Sequence, residues 1–170
     1  MNAPETTEFA PYYNTYISLV EPGNVLPILE TQPAELREMF SGMLEEQGNY
    51  RYADGKWTIK EVLSHLIDGE RMFAYRVLRI SRGDETPIEG FEQDGYIENS
   101  NANNRSFAEL LEEFDFQRRS NMLLLNNLSD EGARRMGTAS DNPVSARALA
   151  YIMAGHVTHH VGILKERYLD

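Results

Sequence analysis

Apolar residues recur every three or four positions in four stretches of this chain, the periodicity of helices that bury one face. The first such stretch carries Leu36, Met39, Phe40, Met43 and Leu44, with Glu35, Arg37, Glu38, Glu45 and Glu46 facing water; Pro33 opens it and Gly48 ends it. The second begins at Thr58 and Glu61, a capping box, and continues through Ile59, Val62, Leu63, Leu66, Phe73, Val77 and Ile80 to about Ser81. A second capping box, Ser106 with Glu109, opens the third, which carries Phe107, Leu110, Leu111, Phe114, Leu124, Leu125 and Leu128. Gln117 and Asn121 interrupt its stripe, either as surface amides at a widened helix edge or as the lining of a polar cavity. Ser145 caps the fourth, running through Leu149, Ile152, Met153, Val157, Val161 and Leu164 to Arg167 or Tyr168.

The remaining segments are short or polar. Residues 1 to 9 read as a loose tail, and Pro11 starts a short aromatic helix with Tyr12, Tyr13, Tyr16, Ile17 and Val20 that Glu21-Pro22-Gly23 stops. Asn24 caps a further turn through Leu29. The connection from Arg82 to Arg105 is longer than most loops of a compact domain, which marks either a lid or binding loop or a crossover between opposite ends of a bundle. Ser129 to Pro143 forms a second connection with Gly132, Gly137 and Asn142-Pro143 as breakers, and no strand alternation is visible. The pattern therefore predicts an all-α single domain over residues 1–170, a four-helix bundle with a short extra N-terminal helix.

Charge and composition narrow the chemistry. A net charge of −11 with pI near 4.8 opposes binding to nucleic acid or to an anionic membrane surface, and no apolar run is long enough to span a bilayer. The N-terminus lacks the features of a secretory signal, so a cytoplasmic protein is expected. With no cysteine, there is neither a protein thiol nucleophile nor a thiolate ligand, and any metal must be held by nitrogen and oxygen.

Such nitrogens are concentrated in the last helix, in Gly155-His156-Val157-Thr158-His159-His160-Val161-Gly162. His156 and His160, four apart, lie one above the other on the apolar face, whereas His159 falls on its polar margin and reads as a rim residue. The pair is either two hydrogen-bonded core histidines or two ligands of one metal ion, and a third ligand decides between them. His65 lies beside the apolar stripe of the second helix, facing a core edge or a cleft. Val157 stands where the general base of a His-Glu-x-x-His metalloprotease would be, which disfavours peptidase activity. Ala148, Gly155 and Gly162 form a strip of small residues on the same helix, marking the close approach of another backbone, in the same bundle or in a second subunit.

The stretch from Trp57 through Thr58, Ile59, Lys60, Glu61, Val62, Leu63, Ser64 and His65 to Leu66-Ile67-Asp68-Gly69-Glu70, taken with His156-Val157-Thr158-His159-His160-Val161-Gly162, resembles the DinB superfamily, including its YfiT-like metal-dependent hydrolases. The resemblance implies an up-down-down-up bundle and a divalent metal, zinc or nickel, held by His65, His156 and His160. It also implies a small-molecule substrate, either hydrolysed or joined to a low-molecular-weight thiol as in bacillithiol transferases and mycothiol-dependent maleylpyruvate isomerases, and a homodimer. A non-catalytic metal- or ligand-binding module of the stress response is the alternative. Ligating imidazoles usually donate their second N–H to a carboxylate. Asp68 and Glu61, on the His65 side of their helix, are the candidates for that role, whereas Glu70 points away.

Overall fold

A computed structural model describes residues 1–169. In chain order it contains α1 (Asn14–Ile17), α2 (Leu26–Met39), α3 (Ile59–Ser81), α4 (Gln93–Glu98), α5 (Phe107–Asn126), α6 (Asp130–Arg134), the strands β1 (Met136–Ala139) and β2 (Asn142–Ser145), and α7 (Ala146–Arg167). The long helices α2, α3, α5 and α7 make the bundle. Thr58 and Ser106 cap α3 and α5 through the expected capping boxes, and the Ser145 hydroxyl accepts from the Ala148 N–H to start α7.

Side-chain contacts give the direction of each helix. Lys60 lies over the Phe107 ring and Glu70 meets Arg118, so α3 and α5 run parallel. Tyr168 donates to the Trp57 carbonyl while His65 meets His156, so α7 returns antiparallel to α3. Arg37 pairs with Asp115 and Gln32 bonds the Ala154 carbonyl, which sets α2 antiparallel to α5 and parallel to α7. The path is up-down-down-up. Two parallel neighbours require the chain to travel back along the full helix, about 34 Å for the 23 residues of α3. The connection from Arg82 to Arg105 makes that journey, so its length follows from topology.

Three expectations change. Pro33 lies inside α2, which begins at Leu26 with Pro27 in its first turn and stops at Met39; Leu44 is solvent-exposed. A proline there has no N–H for the carbonyl one turn back. That carbonyl, on Leu29, accepts from Arg118 Nη1 at 2.7 Å instead. The second connection contains a β-hairpin, β1 pairing antiparallel with β2 around a tight turn in which Ser140 and Asp141 both have positive φ. The N-terminal residues are tied down, Glu8 binding Arg147 and Ser145 and Phe9 bridging to Val144.

A buried polar layer divides the core in two. Arg118 and Glu70 have side chains 1% and 2% exposed and form a bidentate pair at 2.8 and 2.7 Å. Arg118 also donates to Gln32 Oε1, Asn121 donates to Glu70, and Gln32 reaches Thr158. One network thereby joins all four long helices. Glu70 does point away from His65, but into this layer and not into solvent, and Asn121 is buried beside it. Leu36, Leu66, Phe114 and Val157 pack on one side of the layer, and Leu29, Phe73, Leu149 and Ile152 on the other.

Candidate metal centre

The centre forms where α3 and α7 face each other. His65 Nε2 lies 2.9 Å from His156 Nε2, and one ring nitrogen from each of His65, His156 and His160 falls within 4.8 Å of the others. Two ligands of a tetrahedral ion, each about 2.0–2.1 Å from it, are roughly 3.3 Å apart, a separation these distances bracket. The rings are positioned by packing. Trp57 lies 4.8 Å from His65 between ring centroids, and Tyr16 and Phe73 present edges to His156 at 5.5 and 5.4 Å. Gly69 makes room for one of them: a Cβ there would come within 3.0 Å of His156 Cε1.

Burial also sets the protonation state. It pushes His65 down to about 4; burial together with the neighbouring His65 and His159 takes His160 down to about 3. His156 is held well below its ordinary value by burial and by the neighbouring His160, His65, His159 and Arg118. Three neutral imidazoles, each with a lone pair, therefore converge at physiological pH, which is the donor chemistry a borderline divalent ion takes.

The candidate residues separate clearly. His65, His156 and His160 come together, while His159 stays at the rim against Tyr16. Neither carboxylate takes the expected orienting role, since no carboxylate hydrogen-bonds any of the three rings among the described residues. Glu61 accepts from the Thr58 N–H at 2.7 Å and from Asn103 Nδ2 at 2.7 Å, so it is held as a helix cap. Asp68 lies 3.7 Å from Arg71 on the flank of α3, with its pKa raised by burial against the pull of that arginine. At Gly155 the approaching backbone belongs to the same chain, since a Cβ there would collide with the Tyr16 carbonyl, whereas a Cβ at Gly162 would face open space.

His65 and His156 also line a cleft of about 380 Å³ under α1 and the crossover. Its far end holds Arg76 and Ser140, neither of which stands out in the sequence. Arg76 reads there as one more cation on a helix flank, and Ser140 reaches the cleft through the hairpin.

These features define a four-helix bundle with a three-histidine centre between its second and fourth long helices. The chain belongs to the DinB superfamily, whose profile matches residues 28–164. It is similar to "Putative metal-dependent hydrolase YfiT" of Bacillus subtilis (strain 168), 32% identical over 74 residues, or 43% of this chain and 41% of that protein. The aligned stretch thus spans less than half of that relative's length. A solved structure of YfiT from Bacillus subtilis, reported as having "an unusual four-helix bundle topology", superposes with a TM-score of 0.77 at 20% identity, covering 90% of this chain and 95% of that one. At that identity the superposition speaks for the fold.

Proposed function

We propose that this protein is a divalent-metal-dependent hydrolase of a small molecule, with His65, His156 and His160 as the ligands. The observation that carries the reading is the convergence of three neutral imidazoles, His65 and His156 buried and His160 half-buried, with the first two lining the inner wall of a cleft. Three protein ligands are the pattern of catalytic centres, which leave a coordination position for water or substrate. Zinc or nickel suits this donor set, and when bound supplies Lewis acidity that brings a water or a thiol toward ionisation near neutral pH. The chain's own residues do the rest. Trp57, Tyr16 and Phe73 hold the rings in place and exclude bulk water from their inner side, while the aromatic walls of the cleft favour a substrate with an apolar body. The chain has no cysteine, so thiol transfer would need an exogenous thiol.

Metal-loaded protein is assayed on simple esters and amides, with and without bacillithiol, mycothiol or glutathione. Turnover without thiol that is abolished by chelation and by His156→Ala is the expected result. Turnover that requires the thiol would reassign the chemistry to S-transfer, and stoichiometric metal without turnover would favour a binding module. Activity undiminished by chelation would sink the proposal.

A further inference from the structure

Arg76 is the charged group of the cleft, and nothing in the metal centre uses it. It lies eleven residues after His65 on α3, three turns along on nearly the same face, about 16 Å farther on by helical rise. Side chains on a helix lean toward its N-terminus, so the guanidinium tilts back toward the histidines. Arg76 is 3% exposed. Arg118, comparably buried, meets a carboxylate with two parallel bonds, but Arg76 has no carboxylate partner among the described residues. Its Nη2 donates to two neutral acceptors, the Glu89 carbonyl at 3.3 Å and Ser140 Oγ at 2.9 Å, and the Tyr13 hydroxyl, also neutral, lies against the guanidinium. Its Nε is the single buried side-chain nitrogen or oxygen without a hydrogen bond among the described residues.

A buried cation left with neutral acceptors and an unused N–H is costly unless an anion arrives to pair with it. The cleft is suited to that anion. In a chain with 27 acidic residues, none of the side chains lining it is Asp or Glu. The lining that Arg76 shares with the two histidines includes the rings of Tyr13, Phe73 and Phe91. We propose that the cleft binds a small organic carboxylate, its carboxylate held by Arg76 and Ser140 and its apolar body directed along the aromatic walls toward His65 and His156. The site on Arg76 stands on its own geometry; the claim that such a molecule is the substrate rests on the metal-dependent reading above.

Calorimetric titration with benzoate, benzamide and inorganic phosphate tests the proposal, on metal-loaded and on chelator-treated protein. Benzoate is expected to bind both forms, benzamide and phosphate much more weakly. Arg76→Gln should weaken benzoate about tenfold or more, the worth of a charge-assisted hydrogen-bond pair. Arg76→Lys, which keeps the charge and loses the fork, and Ser140→Ala should each weaken it by less, and they carry the test if Arg76→Gln does not fold. Benzoate binding that disappears on chelation yet survives Arg76→Gln would place the carboxylate on the metal and overturn the assignment. Equal binding of benzoate and benzamide would also overturn it, as would preference for phosphate. Arg76-dependent benzoate binding by a protein that takes up no metal would refute the metal reading and leave this one standing; stoichiometric metal with no Arg76-dependent binding would do the reverse.

Discussion

Replacing Arg118 by methionine removes the centre of the polar layer and keeps most of the side-chain volume. The Glu70 carboxylate, 2% exposed, would lose both guanidinium bonds and retain the Asn121 amide. The Leu29 carbonyl would be left without a donor, because Pro33 cannot supply one. Removing one partner of a buried ion pair costs about 3–5 kcal/mol, a large share of the roughly 5–15 kcal/mol that stabilises a typical domain. For a chain of this size each kcal/mol shifts Tm by about 2–4 °C, so the variant should melt roughly 6–20 °C below the parent. The double variant Arg118→Met/Glu70→Met removes both charges, and should be distinctly less destabilised than the sum of the two single changes. Urea unfolding of the four proteins measures the coupling. A single-variant cost under about 1 kcal/mol, or additivity across the cycle, would show that the layer does not bind the four helices together as described.

Gly69→Ala should place a methyl against the His156 ring, displacing it by tenths of an ångström and lowering metal affinity about tenfold with helix content unchanged. Competition against a chromophoric chelator, with circular dichroism alongside, reads both. Glu8 tests the clamp on the N-terminus: burial opposes its ionisation, but hydrogen bonds from Arg147 and Ser145 outweigh that and hold it at about 2, below its ordinary 4.5. A carboxyl depressed in the folded state contributes stability above about pH 4.5 and loses it as pH falls toward 2. Glu8→Gln should therefore be less stable than the parent at pH 7, and the gap in denaturant midpoint should narrow through that window.

The legible parts of the chain are those where one local rule decides the outcome. Thr58 with Glu61, Ser106 with Glu109, and Ser145 mark helix starts because the same side chains that signal a cap make it. His156 and His160 are recognisable from spacing on one helix, while His65 enters through family likeness, because 91 residues separate it from His156. Pro33 misleads because a proline suits a first turn by default; here the cost of its missing N–H is offset by Arg118, whose reach to Leu29 no periodicity reveals. Arg118 and Glu70 look like ordinary solvated charges until the two helices are laid side by side in the parallel direction. The hairpin escapes notice because its turn puts Ser140 and Asp141, neither of them glycine, at positive φ. Glu61 is on the right side of α3 for the site, yet its oxygens are committed to the cap and to Asn103.

Metal content of untagged protein bears most directly on the central claim. Elemental analysis after exhaustive dialysis compares the parent with His65→Ala, His156→Ala, His160→Ala and His159→Ala. The account predicts one divalent ion per chain in the parent and in His159→Ala, and loss of stoichiometric metal in the other three. A parent that holds no metal after loading with zinc or nickel would contradict it, as would equal loss from His159→Ala and His160→Ala.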